Sequence, residues 1–321
     1  MSNFVAELDK LYRQGLQVLS DVEYDALVRI YGEGEDLVSD GGEIPHETRL
    51  YSLDKKYQGD ELPADLSKYV KTVKLDGAAI SLLYVNGKLV RALTRGDGFK
   101  GNDVTMKMLL VPSIPKEIYG FSEYTQIDGE FVTSKQVEND RNYATGTLNT
   151  KELGEFCQKV ADGGLIFVPT NIQEKASGVW HPYGKTYSQA LFALKFAGFI
   201  SVLDSEVLCN CPSDGQVFRL DLNSEYIAAG FTSKFPKGAF ALKQKDEEYE
   251  TTLLDVVWQV GRTGKVTPVA ILEPVQIEDA VIKQATLNNI EYIEALGLEL
   301  GCRVKIVRAG KIIPKVVARA D

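Results

Sequence analysis

The chain has few of the residues that build disulfide bonds or metal centres, with 4 cysteines and 2 histidines among 321 residues. The cysteines include no Cys-x-x-Cys pair, and Cys209-Asn210-Cys211 has the wrong spacing for a zinc knuckle and no second pair to complete one. We therefore expect no zinc. Reduced thiols are typical of cytosolic proteins, so the predicted location is the cytoplasm.

Long apolar runs are also missing. No stretch approaches the roughly 18 apolar residues of a membrane helix, and the pattern of a secretory signal does not open the sequence. The composition is 44% hydrophobic and 25% charged, which is typical of a soluble globular protein of two or three domains. We expect no membrane partner.

The net charge of −9 argues at first against a nucleic-acid partner, but the charge is unevenly distributed. Residues 1–68 contain 15 acidic and 7 basic residues, a net charge of −8, whereas residues 301–320 contain six basic residues and no acidic one. The C-terminal run is therefore either a phosphate-binding surface or an ordinary solvated strand face.

Residues 1–58 are predicted to form a small, mostly helical domain. Ser20 and Glu23 have the spacing of a capping box at the start of a helix. Apolar residues recur at helical spacing at Phe4, Leu8, Leu11 and Tyr12.

Asn86-Gly87 lies between two runs rich in β-forming residues, a pattern that predicts a β-hairpin with a two-residue turn. The hairpin is expected to bring Lys74 and Arg95 to the same end of one sheet. Gly77 is expected to leave room for a ligand near the backbone. Asp76 is expected to hold the Lys74 ammonium group.

Lys74 is a candidate nucleophile, because a lysine whose proton affinity is lowered by its surroundings can attack as the free amine. The alternative is an ordinary solvated lysine on a strand. The sequence Lys-x-Asp-Gly by itself is too short to decide between them.

Three neighbouring segments, 74–82, 94–98 and 101–105, together resemble the adenylation domain of the NAD⁺-dependent DNA ligases. Further matches follow in order along nearly the whole chain. The resemblance implies a multidomain α+β protein: a small helical N-terminal domain that recognises nicotinamide mononucleotide (NMN, 1–58), an adenylation domain with the nucleotidyltransferase fold (59–247) and a C-terminal OB-fold β-barrel (248–321). Short alternating strands in the last segment also favour the barrel.

The resemblance also implies a set of site residues. The catalytic residues are Lys74, Asp76 and Lys243. The residues that bind NAD⁺ are Tyr12, Asp21, Tyr24, Asp25, Ser52, Leu53, Thr72, Arg95, Glu130 and Arg219. Glu130 also holds Mg²⁺ or Mn²⁺, directly or through water. The residues that bind nicked double-stranded DNA are Arg141, Lys234, Lys237, Arg262 and Arg308.

The chain departs from the family pattern at four of its positions. Thr72 replaces a glutamate that contacts adenine, and Arg219 replaces a lysine. Arg13 replaces a histidine of the nicotinamide site, and Asn149 replaces an arginine of the DNA site. We expect weaker binding at these positions or compensation by neighbouring groups.

The segment 96–101 also matches the Gly-x-Gly-x-x-Gly pattern of dinucleotide-binding folds. We reject that interpretation, because the segment follows a hairpin strand and has no surrounding βαβ unit.

The predicted function is NAD⁺-dependent sealing of nicks between a 3′-OH and a 5′-phosphate, with AMP carried on Lys74 and NMN released. The family usually continues with a zinc finger, helix-hairpin-helix repeats and a BRCT domain. We expect either a compact, virus-like ligase without those domains, or a catalytic subunit whose partner supplies the rest of the DNA clamp.

Two other classes remain open. One is an ATP- or GTP-using nucleotidyltransferase, such as a polynucleotide ligase or a capping enzyme, which has no need of a nicotinamide site. The other is an inactive DNA-binding module, for which Lys74, Glu130 and Lys243 have no purpose.

Overall fold

The computed structural model describes residues 43–137, 139–243, 247–260, 266–277, 280–309 and 313–321. The chain divides into two compact units, with the division between Lys243 and Gln244. Residues 1–42 of the predicted helical domain lie outside the described residues. So do its predicted cofactor residues, Tyr12, Asp21, Tyr24 and Asp25.

The described strands of the first unit form three sheets. In chain order they are β1 (Glu43–Pro45), β2 (Asp54–Tyr57), β3 (Tyr69–Leu75), β4 (Ala78–Val85), β5 (Lys88–Thr94), β6 (Lys100–Asn102), β7 (Tyr124–Thr133), β8 (Leu165–Ala176), β9 (Val179–Pro182), β10 (Ser213–Leu220) and β11 (Ala239–Lys243). The sheet orders are β2-β11-β10-β3, β5-β4-β7-β8-β9 and β1-β6.

Seven α-helices are described in the two units. They are α1 (Thr105–Leu109), α2 (Asp140–Leu148), α3 (Leu153–Gly163), α4 (Tyr187–Phe196), α5 (Ser205–Leu208), α6 (Asn223–Ala229) and α7 (Ile290–Ala295). A 3₁₀ turn covers Leu66–Lys68.

The predicted hairpin is confirmed. Strands β4 and β5 are antiparallel, and Val85 pairs with Lys88 across the turn. Asn86 and Gly87 have φ angles of 50° and 77°. Positive φ at both central residues is the geometry that an Asn-Gly turn favours.

Lys74 and Arg95 do not share a sheet, so that prediction is wrong. Lys74 lies on β3 of the four-stranded sheet, whereas Arg95 follows β5 of the five-stranded sheet. The chain passes from one sheet to the other at Asp76-Gly77. The hairpin therefore belongs to the five-stranded sheet and does not extend the sheet that holds Lys74.

Gly77 faces protein rather than open space. A Cβ atom at this position would lie 2.3 Å from the Phe131 carbonyl oxygen and 2.5 Å from Val132 Cγ1. The expectation that Gly77 makes room for a ligand is therefore wrong. A glycine is required because the crossing chain packs directly on the backbone of β7.

Strand β7 separates the core of the first unit from its polar face. Ile127 and Phe131 are fully buried in the hydrophobic core. Because side chains alternate along a strand, Asp128 and Glu130 point to the opposite face. Gln126 shares that face and is 1% exposed.

Residues 43–58 were predicted to belong to a mostly helical unit, but their described structure contains strands and no helix. Strand β1 pairs with β6, and β2 runs parallel to β11. The conformation of this segment therefore follows from its strand partners rather than from helix propensity.

The second unit is a closed five-stranded barrel, which confirms the predicted OB-fold. The strands are β12 (Tyr249–Val260), β13 (Val266–Ile277), β14 (Ala280–Thr286), β15 (Arg303–Ala309) and β16 (Ile313–Arg319), in the order β12-β13-β14-β16-β15. The second unit also contains the helix α7. The Asn289 side chain caps its first turn, and Gly297 follows its end with a φ of 58°.

Within the described ranges, no helix combines the length and the apolar composition that a membrane crossing needs.

We predict that Gly77→Ala destabilises the protein by about 1–3 kcal/mol, because the added methyl group overpacks the contact with β7. The matched control is Gly146→Ala in α2, where a Cβ atom meets nothing within 4 Å. That change should stabilise the protein by up to about 1 kcal/mol through helix propensity. Urea unfolding of both variants measures the difference, and equal effects would contradict the packing explanation.

Candidate active site

Two lysines meet at one carboxylate at one end of the four-stranded sheet. Lys74 Nζ lies 2.7 Å from Asp214 Oδ1, and Lys243 Nζ contacts Asp214 Oδ2. Their strands β3, β10 and β11 are neighbours, which brings residues from three distant parts of the sequence together. The three side chains are 20–23% exposed, so the cluster is partly shielded from water and still open to a ligand.

Asp214, rather than Asp76, holds the Lys74 ammonium group, which corrects the sequence-based expectation. Burial acts to raise the pKa of Asp214, but the hydrogen bonds and charges of Lys243 and Lys74 outweigh it and hold the pKa below its usual value. Asp214 was not predicted as a site residue. The only signal for it was an Asp-Gly pair on the strand that carries Arg219.

Gly215 allows this arrangement. It pairs with Lys74, and the register between β10 and β3 shifts between Ser213 and Gly215. Gly215 has a φ of 147°, and a Cβ atom there would lie 2.3 Å from the Leu242 carbonyl oxygen. The irregular glycine therefore lets β10 approach β11 closely beside the two lysines.

Glu130 lies close enough to this cluster for the charges to interact. Burial raises the pKa of Glu130 to about 7. The positive charges of Lys74, Arg141 and Arg95 act in the opposite direction, and the negative charge of Asp76 adds to the rise. Glu130 can therefore exchange a proton near neutral pH, unlike an ordinary surface glutamate.

Asp76 is paired with Arg141, whose Nη1 atom lies 3.5 Å from Asp76 Oδ1. Arg141 is in the first turn of α2, and its side chain is 55% exposed. The Thr133 hydroxyl donates to Asp140 at the start of α2, and the Lys107 ammonium donates to the carbonyl of Leu148 at its end. Both ends of the helix that carries Arg141 are thus anchored.

Thr72 and Arg219 belong to a buried group farther along the same sheet. Thr72 is two residues before Lys74 on β3, so the two side chains project from the same face. The Arg219 guanidinium lies 4.3 Å and 4.1 Å from the ring centroids of Tyr187 and Tyr226. Arg219 Nη2 also donates to Asn223 Oδ1 at 2.9 Å, so its charge lies among rings rather than with the two lysines.

A pocket of about 370 Å³ lies beside the predicted cofactor residues Ser52, Leu53 and Arg95. Arg95 Nη2 donates to Ser52 Oγ at 2.5 Å. Lys234, predicted from the sequence to bind DNA, also lines this pocket, and its carbonyl accepts from Ser52 N at 3.1 Å. Cationic side chains, including Arg95 and Lys234, therefore line the pocket beside the first residue of β2.

The glycine-rich segment 96–101 turns tightly after β5 and runs into the strand β6, whereas a dinucleotide fingerprint opens a helix. The Asp97 carboxylate accepts from the backbone N–H groups of Phe99 and Lys100 at 2.8 and 3.0 Å. A turn of this kind has no helix N-terminus to hold a pyrophosphate.

The other predicted DNA-binding residues are spread over both units. Lys237 is exposed in the loop before β11, and Arg308 is on β15 of the barrel. Arg262 lies outside the described residues.

Part of the basic run 301–320 is neutralised within the barrel. Arg303 lies 2.7 Å from Glu250 and Lys305 lies 3.1 Å from Glu248. Arg319 is paired with Asp321 at 2.9 Å. These acidic partners precede and follow the basic run in the sequence, so a count of charges within residues 301–320 overestimates the positive charge of the surface.

No group of three or more His, Cys, Asp or Glu residues in the described ranges has the arrangement of a metal site. A hydrated Mg²⁺ ion needs only one or two carboxylates together with substrate phosphates. Glu130 and Asp76, which influence each other electrostatically, fit that smaller requirement.

Two domains of one known protein family match the chain. Residues 39–207 match the NAD-dependent DNA ligase adenylation domain, and residues 250–321 match the NAD-dependent DNA ligase OB-fold domain.

Similar proteins include a DNA ligase of Renibacterium salmoninarum, 30% identical over 95% of this chain and 49% of its own length. A DNA ligase of Campylobacter concisus is 33% identical over 84% of this chain and 47% of its own. The chain thus spans about half the length of these relatives.

A solved structure described as "DNA binding with a minimal scaffold: Structure-function analysis of Lig E DNA ligases" has a TM-score of 0.50. It is 14% identical and covers 88% of this chain and 100% of its own, which supports the fold alone. On the two domain matches, which include more than half of the sequence, the chain belongs to the NAD-dependent DNA ligase family.

Proposed function

We propose that the protein seals 3′-OH/5′-phosphate nicks in double-stranded DNA with NAD⁺, through AMP bound covalently to Lys74. The observation that carries this proposal is the convergence of Lys74 and Lys243 on Asp214 in a partly open site. One lysine is available as a nucleophile, and the second lies where it can bind the phosphate under attack.

In the first step, Lys74 Nζ attacks the α-phosphorus of NAD⁺. The bond from that phosphorus to the bridging oxygen breaks, and NMN leaves with the electron pair. Lys74 must lose a proton, which passes to water, before its free amine can attack. Because its own pKa is held low, Asp214 orients the lysine rather than accepting that proton.

In the second step, the 5′-phosphate at the nick attacks the same phosphorus and releases Lys74. In the third, the 3′-OH attacks the 5′-phosphorus and AMP leaves. All three steps build negative charge on phosphate oxygens, and Lys243 shares the Asp214 carboxylate with Lys74. Arg141, exposed on α2, is the proposed contact to the 5′-phosphate.

Mg²⁺ or Mn²⁺ is the proposed metal, held by Glu130 and Asp76 directly or through water. When bound, it neutralises phosphate charge. Lys243, Arg95 and Arg141 are proposed to neutralise the rest of the phosphate charge.

Binding of NAD⁺ is assigned to both ends of the site. Ser52, Leu53 and Arg95 form the pocket wall, and Thr72, Glu130 and Arg219 complete the adenosine side. The nicotinamide half is assigned to the residues proposed from the sequence in the 1–58 domain, namely Tyr12, Asp21, Tyr24 and Asp25.

DNA is the proposed macromolecular substrate, bound by Arg141, Lys237 and Arg308, together with Arg262. Lys234, which lines the pocket, is proposed to contact the bound nucleotide as well as DNA. The adenylation domain (59–247) and the barrel (248–321) are each proposed to contact DNA, in the cytoplasm of a bacterium or of a virus-infected cell.

We predict that Lys74→Ala abolishes the AMP-sized mass gain that the wild-type protein shows after incubation with NAD⁺ and Mg²⁺. Adenylate already present is first discharged with nicked DNA or excess NMN, and intact-protein mass spectrometry then follows the gain. The matched control is Lys71→Ala, an exposed lysine on the opposite face of β3, which should keep the gain.

A parallel sample with ATP separates the alternatives. A gain with ATP alone would indicate an ATP-using nucleotidyltransferase. Retention of the gain in Lys74→Ala would contradict the assignment of the nucleophile. No gain in the wild-type protein with either nucleotide would contradict the enzymatic proposal for this chain.

We predict that Glu130→Gln becomes progressively more stable relative to the wild-type protein as the pH rises from about 4.5 to about 7. In the folded protein the pKa of Glu130 is about 7, so the wild-type protein loses stability over this interval as the unfolded state gives up its proton first. The difference should reach at most about 3 kcal/mol.

Unfolding by urea at pH 4.5, 6 and 8 measures this effect. Glu130→Asp, which keeps a titratable carboxyl group on a side chain shorter by one methylene, should retain most of the wild-type dependence on pH. A constant difference between Glu130→Gln and the wild-type protein at all three values would contradict the raised pKa.

A further inference from the structure

The segment 43–57, here called the strap, crosses the polar face of the five-stranded sheet. Its first part pairs with β6, and its last part runs beside β11 of the four-stranded sheet. Between these strands its backbone is attached at intervals: His46 N donates to Phe99 O at 2.9 Å, and Leu50 N donates to Gly98 O at 2.9 Å. The strap therefore connects the two-stranded sheet to the four-stranded sheet.

One side chain holds the middle of the strap. Thr48 N donates to Gln126 Oε1 at 2.8 Å, and Gln126 Nε2 donates to Thr48 O at 3.1 Å. The amide thus satisfies both backbone groups of one residue, as a neighbouring strand would. Gln126 is 1% exposed, so water does not compete for these bonds.

The orientation of the Gln126 amide is itself determined. Its nitrogen also donates to Asp128 Oδ1 at 2.8 Å, which leaves the oxygen facing Thr48 N. Asn171 Nδ2 donates to Asp128 Oδ2 at 3.2 Å and holds that carboxylate. Gln126 consequently has one arrangement in which all of its polar atoms have partners.

The Thr48 hydroxyl has a separate contact. Gln173 Nε2 donates to Thr48 Oγ1 at 2.8 Å. This bond involves the side chain of Thr48, whereas the Gln126 bonds involve its backbone. The two contacts can therefore be removed one at a time.

The strap delivers two groups to Arg95. The Arg95 carbonyl oxygen lies 3.1 Å from His46 Nε2, on one side of Thr48. Arg95 Nη2 donates to Ser52 Oγ, on the other side. Ser52, Leu53 and Arg95 line the pocket, so the position of the strap decides the shape of that wall.

We propose that Gln126 is a positioning residue, whose amide holds the strap in register so that Ser52 and Arg95 meet at the nucleotide pocket. The role in nucleotide binding rests on the proposed function. The effect on the strap itself does not, because it concerns contacts within the resting protein.

The test uses Gln126→Met, which keeps the length of the side chain and removes all three hydrogen bonds of the amide. Hydrogen exchange of residues 46–53 in the resting protein should increase at least tenfold, because Thr48 N loses its acceptor. The NAD⁺ concentration for half-maximal adenylation of Lys74 should rise about tenfold, with the maximal rate within twofold of the wild-type value.

The matched control is Thr48→Val, which has the same shape as threonine, loses the bond to Gln173 and keeps both backbone bonds to Gln126. Its exchange and its half-saturating NAD⁺ concentration should stay within twofold of the wild-type values.

Unchanged exchange in Gln126→Met would overturn the proposal, and so would increased exchange with an unchanged half-saturating concentration. A fall in maximal rate and melting temperature with unchanged half-saturation would also overturn it, since that result indicates support of the fold alone. If the wild-type protein gains no AMP from NAD⁺, the proposed function fails, and the exchange result alone decides whether Gln126 positions the strap.

Discussion

The site depends on the ion pairs between Asp214 and the two lysines, Lys74 and Lys243. Two ammonium groups this close repel each other unless an anion lies between them, and the repulsion grows as water is excluded. The carboxylate therefore lets two cations share a partly buried place on the sheet. The proposed phosphoryl-type transfer requires this arrangement, because it needs a nucleophile and a phosphate-binding charge in one location.

The crossing from one sheet to the other supplies the remaining groups. Asp76 and Gly77 carry the chain from β3 to β4, and the close contact of Gly77 with β7 brings that strand toward the lysines. Glu130 on β7 then experiences the charges of Lys74 and Asp76. The close packing of Gly77 against β7 thus determines which charges surround Glu130.

The strap adds a third element to the same site. The strap is held at Thr48 by polar contacts rather than by an apolar face. Gln126 bonds to the backbone of Thr48, and Asp128 accepts a hydrogen bond from the same Gln126 amide. Buried polar networks are costly when incomplete and highly specific when every group has a partner. This network is suited to setting the position of a pocket wall, where small displacements change the contacts to a ligand.

Much of the fold was predictable from local sequence. The Asn86-Gly87 turn and the helix cap at Asn289 follow from short-range chemistry, and the linear order of segments around Lys74 identified the family. Other features were decided by tertiary structure. Lys74 and Asp214 are 140 residues apart in the sequence, and only the pairing of β3 with β10 selects Asp214 over the nearby Asp76. Three further contacts depend on segments that meet only in the folded chain: Gly77 with β7, the C-terminal cations with their acidic partners, and Gln126 with Thr48. The physical reason is that hydrogen bonds and charge pairs act over a few ångströms, whatever the separation of the residues in the sequence.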